Sequence, residues 1–312
     1  VKSLRQAFVY AAIVLAAVFG NAAEIRVVTT LPAIHCWASN VAGEDAVVEN
    51  LLPADVGPHD FQFRPSDRKK VAGADLIFVN GLGVEDWLKK AMIDKGTKGT
   101  GRVVALSDGL KSQLIYHLPE LEFGDGHSHA HHHHDHDHEA EGEAPNPHIW
   151  LDPVFARHCV SNIAVALKEA DPVHADGYSR RAAAYLAELE ALDREVKTVV
   201  DGLPDKKVIT FHDAFPYFCR RYGLDLVGVI QEVPSTEPSP KHFAKLARVI
   251  RERKVRAIFV EPQFNPRIAT RLAEDLKIKV GQLDVLETGT LSRGFYTEGV
   301  RKNLKALEAA LR

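Results

Sequence analysis

Residues 172–201, PVHADGYSRRAAAYLAELEALDREVKTVVD, decide how this chain is organised. Tyr178, Ala182, Tyr185, Leu189, Leu192, Val196 and Val199 recur at spacings of four and three. That is one apolar stripe on a single helix of about eight turns. Asp171-Pro172 reads as its N-cap and first helical residue, and Gly202 and Pro204 end it. On either side the chain alternates short strand-like and helix-like stretches. Upstream, Ile25–Thr30, Val47–Leu52, Asp75–Asn80 and Val103–Asp108 are rich in Val, Ile and Leu. Helical patterns lie between them around Trp37–Gly43, Ser66–Ala72 and Glu85–Ile93. Downstream, Lys207–His212, Asp225–Ile230, Ala257–Glu261 and Lys279–Asp284 repeat the theme. Their helices fall around Phe215–Tyr222, Lys241–Arg253, Arg267–Leu276 and Thr297–Leu311. Alternation of this kind implies βαβ units and parallel sheet. The expectation is an α/β protein of two (β/α)4 lobes with parallel sheets, joined by one long rigid backbone helix. The N-terminal lobe covers residues 24–170, the linking helix 171–203 and the C-terminal lobe 204–312. A single stiff helix between lobes permits tilting but little wide hinge closure.

The 312 residues, 46% hydrophobic and 26% charged, suffice for a well-filled core in each lobe and exclude disorder as the main state. The net charge of −3, from 39 basic and 42 acidic residues, shows no basic excess that would point to nucleic acid. Three cysteines cannot build a disulfide scaffold. Cys36 and Cys159 either pair within the first lobe or remain buried thiols. Residues 1–23 read as a secretory signal peptide rather than a buried first helix. Lys2 and Arg5 give a positive start, Ala7 to Phe19 is apolar, and Gly20-Asn21-Ala22-Ala23 supplies small residues for cleavage. Export to the periplasm is therefore expected. No other stretch reaches the 18 apolar residues of a membrane span.

Histidine is the anomaly: there are 16, and half stand in GDGHSHAHHHHDHDHEAEGE, residues 124–143. His127, His129, His131, His132, His133, His134, His136 and His138 are interleaved with carboxylates, with no apolar residue larger than Ala. Such a run cannot bury a core and reads as a loop capturing transition metal weakly, at many overlapping sites.

A tighter site is expected where open α/β sheets place ligands, beyond the carboxyl ends of their strands. His35 follows the first predicted strand and His59 the second. His148 precedes a helix in Asn146-Pro147-His148-Ile149-Trp150-Leu151-Asp152-Pro153. His212 ends the first strand of the second lobe, Glu261 the third and Asp284 the fourth. Any one of these alone is more often a capped structural residue than a ligand. Together they offer imidazole and carboxylate to one cation in the cleft. Asp60, Asp152 and Asp213 each follow a proposed ligand closely, and any of them is a candidate to orient an imidazole.

The phrases PHDFQFRPSD (58–67), NGLGVEDWL (80–88), NPHIWLDP (146–153), TFHDAFPYF (210–218), EPSPKHFAKL (237–246) and FVEPQFNP (259–266) resemble the cluster A-I metal-binding proteins of bacterial ABC importers, most closely their zinc branch. The resemblance runs from about Glu24 to the C-terminus and implies two lobes on a backbone helix with one metal in the cleft. It implies His59, His148 and His212 as ligands and Asp284 as the last carboxylate. Where the family has Asp-Pro-Leu-Gly this chain has Asp284-Val285-Leu286-Glu287, and water or Glu261 is the alternative fourth ligand. Pro58 occupies the position from which some zinc members supply a glutamate. Three imidazoles and a carboxylate suit tetrahedral Zn(II), whereas manganese favours more oxygen, and the manganese branch carries a glutamate in place of His212. The resemblance implies a zinc-binding protein that is not an enzyme, acts as a monomer and has no organic cofactor. It would deliver Zn(II) to a membrane permease driven by a cytoplasmic ATPase, with a periplasmic zinc chaperone as a further partner. Affinity is expected to fall below about pH 6.5, because ligating imidazoles must be neutral. The alternatives are a manganese or other transition-metal carrier, a secreted zinc hydrolase, which here lacks HExxH, and a surface adhesin or metal store.

Overall fold

The computed structural model describes residues 24–93, 101–116, 144–231 and 239–312. Residues 1–23, read above as a signal, and the histidine-rich run lie outside the described residues. The first lobe holds β1 (Ile25–Thr29), α1 (Pro32–Ala42), β2 (Ala46–Asn50), α2 (Pro65–Ala72), β3 (Leu76–Val79), α3 (Asp86–Ile93), β4 (Arg102–Ala105) and α4 (Pro153–Ala170). The linking helix α5 (Ala175–Asp201) follows. The second lobe holds β5 (Lys207–Thr210), α6 (Pro216–Tyr222), β6 (Asp225–Val229), α7 (Pro240–Arg253), β7 (Ala257–Val260), α8 (Arg267–Leu276), β8 (Lys279–Gln282) and α9 (Phe295–Leu311). All pairings are parallel, in the orders β2-β1-β3-β4 and β6-β5-β7-β8. Strand order therefore reverses beside β1 in one sheet and beside β5 in the other, and ligands of open sheets collect at such points.

The predicted stripe on α5 is the buried one: Tyr178, Ala182, Tyr185, Leu189, Leu192 and Val196 face inward, with Val200 rather than Val199 completing it. The start of the helix differs from expectation. Pro172–His174 form a separate 3-10 turn and the α-helix begins at Ala175. Asp171 does not cap backbone N–H groups with its side chain. Its Oδ2 accepts from the Tyr178 hydroxyl at 2.8 Å and pairs with His174 Nδ1 at 2.5 Å. These partners hold the carboxyl below its ordinary value against the opposing effect of burial.

One continuous apolar core runs from Val27 in the first lobe to Leu311 in the second, through α1, α4, α5 and α9. Trp37 of α1 meets Tyr296 of α9 edge-on, with ring centroids 5.2 Å apart. The Arg293 guanidinium donates to the Gly43 carbonyl and to Glu44. A second, smaller core lies beneath α7 and α8. A shared core resists lobe separation far better than a linker alone, since opening it would expose apolar surface at about 25 cal/mol per Å². Cys36, Cys159 and Cys219 are buried free thiols, so Cys36 and Cys159 do not pair. Among the described residues no helix is long and apolar enough to cross a membrane.

Candidate metal centre

Four segments bring donor atoms to the cleft. Pro53, Gly57 and Pro58 punctuate the loop after β2, and two turns (Val56 N–H to Pro53, Asp60 N–H to Gly57) project His59. His148 precedes a 3-10 turn, Ile149–Leu151, whose three residues are fully buried. His212 lies two residues beyond β5. The fourth donor is Glu287, five residues beyond β8.

Asp284 does not join them. Its Oδ1 accepts from the Leu286 N–H at 2.9 Å, while its own N–H donates to Asn303 Oδ1 at 2.7 Å. Asp284 thus builds a turn. Leu286 adopts the left-handed conformation at φ +58°, sparsely populated for a branched residue. Gly299 leaves room for it, since a β-carbon there would lie 2.4 Å from Leu286 Cδ2. That turn aims Glu287 back into the cleft. Trp150 secures it, donating from Nε1 to the Val285 carbonyl at 2.7 Å across the lobes. The Gly289 N–H reaches the Ala54 carbonyl at 2.7 Å, tying the Glu287 loop to the His59 loop.

The donor atoms stand close together. His148 Nε2 and His212 Nε2 are 3.2 Å apart. Glu287 Oε1 is 3.7 Å from His148 Nε2 and 3.8 Å from His59 Nε2. His59, His148 and Glu287 offer donor atoms that all lie within 4.8 Å of one another, and His212 approaches this group through His148. Donors of a tetrahedral zinc, each about 2.0–2.1 Å from the ion, stand about 3.3 Å apart, so His212 must move inward for all four to share one ion. His148, His212 and Glu287 are about 95% buried, and His59 sits at the rim. A cavity of about 480 Å³ opens onto the three imidazoles between Leu82, Tyr116 and Asp213, and one of about 150 Å³ lies on the Glu287 side.

The electrostatics are those of donors waiting for a cation. Burial, reinforced by its histidine neighbours, holds His148 well below the usual imidazole range. The surrounding protein and the His212 charge lower His59 as well. Burial raises Glu287 to about 8, with Glu261, Asp284 and Asp60 adding to the rise against an opposing effect of His212. Burial thus favours the uncharged forms of Glu287, His59 and His148 in the absence of a cation. Glu287 Oε1 is buried without a hydrogen-bond partner, an orphan acceptor that a cation would satisfy. His212 behaves oppositely. Burial works against its protonation, but the hydrogen bond and charge of Glu261 outweigh it and its proton affinity is raised. His212 Nδ1 lies 2.6 Å from Glu261 Oε1. With Nδ1–H committed to Glu261, a proton on His212 Nε2 can point only at His148 Nε2. It occupies the ground a metal would take.

The structure distributes the other sequence candidates differently. Glu261 stands behind His212, and Gln263 Nε2 donates to its second oxygen at 3.0 Å. His35 is outside the cluster, its Nδ1 buried and its proton affinity lowered by burial. Asp152 caps α4 at the Val154 N–H and pairs with Arg221. Asp213 accepts from Asn146 Nδ2 at 3.0 Å, and burial raises it to about 6. Neither Asp152 nor Asp213 hydrogen-bonds a cleft imidazole; Glu261 meets His212 and Asn146 meets His148. Glu287 and Asn146 were missed by the sequence reading. The visible signals were a carboxylate three residues past Asp284 and an amide two residues before His148. His127, His129, His131, His132, His133, His134, His136 and His138 lie outside the described residues.

Two parallel α/β lobes sharing one core, with histidine-bearing loops at the cleft between them, define a two-lobed solute-binding protein. Residues 27–310 match the family described as ZnuA, zinc-uptake complex component A periplasmic, and the chain belongs to that family. It is 31% identical over 292 residues to the high-affinity zinc uptake system protein ZnuA of Bacillus subtilis, covering 92% of this chain and 88% of that one. It is 28% identical over 295 residues to the zinc-binding protein AdcA of Streptococcus pyogenes, covering 91% of this chain but only 55% of that longer protein. Among solved structures, the laminin-binding protein Lmb of Streptococcus agalactiae, described as a bifunctional protein with adhesin and metal-transporting activity, superimposes with a TM-score of 0.76 at 28% identity. That match covers 93% of this chain and all of Lmb.

Proposed function

We propose that this protein captures Zn(II) in its interlobe cleft and delivers it to an ABC permease for uptake. The ion is cargo and undergoes no reaction. His59, His148, His212 and Glu287 are its ligands, with Glu287 in the place the sequence reading gave to Asp284. The observation that carries this is the convergence of His59, His148 and the orphan buried oxygen of Glu287 within 4.8 Å of one another, with His212 Nε2 3.2 Å from His148 Nε2. One oxygen and three nitrogens favour zinc over manganese. Four protein donors close the coordination sphere, which leaves no position for an activated water and supports a carrier over a hydrolase. Binding replaces the proton between His148 and His212 and the proton on Glu287. The fixed lobes make capture a local exchange of protons for metal rather than a wide closure. Residues 1–23 direct export to the periplasm, and a permease with its cytoplasmic ATPase receives the ion.

The test is a competition titration of metal-free protein with zinc against a chromogenic chelator. One tight ion per chain is expected, weakened at least tenfold by His59→Ala, His148→Ala or His212→Ala. Tight binding untouched by all three substitutions would sink the assignment.

A further inference from the structure

Asn146 uses every polar group it has. Its N–H donates to the Ile115 carbonyl at 2.7 Å, and its carbonyl accepts from the Tyr217 hydroxyl at 2.7 Å. Its side-chain Oδ1 accepts from the His148 N–H at 3.0 Å and faces His148 Nδ1 at 3.0 Å. Its Nδ2 donates to the Asp213 carbonyl at 2.8 Å and to Asp213 Oδ2 at 3.0 Å. The two ends of an amide are easily confused, but here each faces a backbone group of fixed polarity. The His148 N–H can only donate, so the atom it meets is oxygen. The Asp213 carbonyl can only accept, so the atom it meets is nitrogen.

Two consequences follow. Because Oδ1 is an acceptor, His148 carries its proton on Nδ1, and its Nε2 lone pair faces His212 and Glu287. Because Nδ2 grips Asp213, adjacent to His212, the same side chain fastens the lobe carrying His148 to the lobe carrying His212. Resting on the cleft assignment above, we infer that Asn146 is a positioning residue of the metal site: its amide selects the metal-ready tautomer of His148 and latches the two lobes at ligand spacing before zinc arrives. Residues behind metal ligands typically influence affinity by 10–100-fold.

Two substitutions separate the roles. Asn146→Ala removes both. Asn146→Asp keeps an acceptor facing His148 but replaces the donor with a second carboxylate oxygen turned toward Asp213. The first readout needs no metal: ¹⁵N shifts of histidine rings in the metal-free protein, with His148 assigned by comparison with His148→Ala. The wild type and Asn146→Asp are expected to show His148 protonated on Nδ1, and Asn146→Ala a mixture of tautomers. The second readout is zinc release into excess chelator, with folding checked by circular dichroism. Release is expected at least tenfold faster in Asn146→Ala and at least threefold faster in Asn146→Asp. Cobalt(II)-loaded Asn146→Asp should keep the wild-type absorption spectrum, since its ligand set is unchanged. An unchanged His148 tautomer in Asn146→Ala overturns the first role, and wild-type release from Asn146→Asp overturns the latch. If wild-type zinc binding ignores His148→Ala, the cleft assignment itself fails, while the metal-free tautomer still decides what Asn146 does.

Discussion

Glu287→Gln removes a titratable proton from a buried carboxyl of the cleft while keeping its size. In the metal-free wild type this group is 5% exposed and burial lifts it from 4.5 to about 8. A group raised on folding contributes fully below its unfolded value, and that contribution is lost as pH climbs through the folded value. Each pH unit in that window costs 1.36 kcal/mol. Between pH 5 and pH 8 the wild-type apoprotein should therefore lose about 3.5 kcal/mol that Glu287→Gln does not lose. The histidines titrate in both proteins, and His212, which feels the Glu287 charge, shifts with it. The assay is urea unfolding of metal-free protein at pH 5, 6, 7 and 8, followed by far-ultraviolet circular dichroism. The stability difference between variant and wild type should widen in favour of the variant with each step. Saturating zinc should reverse the ranking, because the ionised carboxylate then has a dication beside it. Two pH profiles running parallel at a constant offset would refute the reasoning, showing that Glu287 does not titrate across this window.

Zinc binding at pH 7 should release protons, chiefly the one on Glu287, measured calorimetrically in buffers of different ionisation enthalpy; no net release would contradict the displaced-proton geometry. Affinity should consequently keep rising from pH 6 to about pH 8 rather than levelling just above the free-imidazole value near 6.5, which a chelator titration at stepped pH would read. Asp284→Ala should weaken zinc less than Glu287→Ala while lowering thermal stability, since Asp284 supports the Leu286 turn without ligating; equal losses of affinity would return Asp284 to the ligand set. Glu261→Gln keeps an acceptor for His212 but removes the charge that raises its proton affinity, so a histidine proton resonance should titrate at lower pH in the variant.

The fold was legible because its signals are local. Val27 and Val28, Leu76 to Val79 and Ala257 to Val260 are short buried runs bounded by turns. The stripe from Tyr178 to Val196 repeats at the helical period. Such patterns need only chain geometry and the removal of apolar surface from water. The start of the linking helix was less legible: Asp171-Pro172 has the form of a cap, but the pull of His174 and Tyr178 on the carboxylate is a matter of side-chain placement. The difference between Asp284 and Glu287 is of the same kind. Both are acidic, both follow β8, and only the left-handed turn at Leu286 decides which one reaches the histidines.

By itself the sequence determined the alternation of strands and helices, the rigid connector between the lobes, and histidines at strand ends. These depend on neighbours within a few residues. Only the tertiary structure decided which acid meets His148, which amide sets its tautomer, and that His212 leans on Glu261. The two acid contacts join residues 49 and 139 positions apart, and the amide two residues from His148 is held by Asp213, 67 positions away, so these pairings follow from how the lobes pack rather than from any period in the chain.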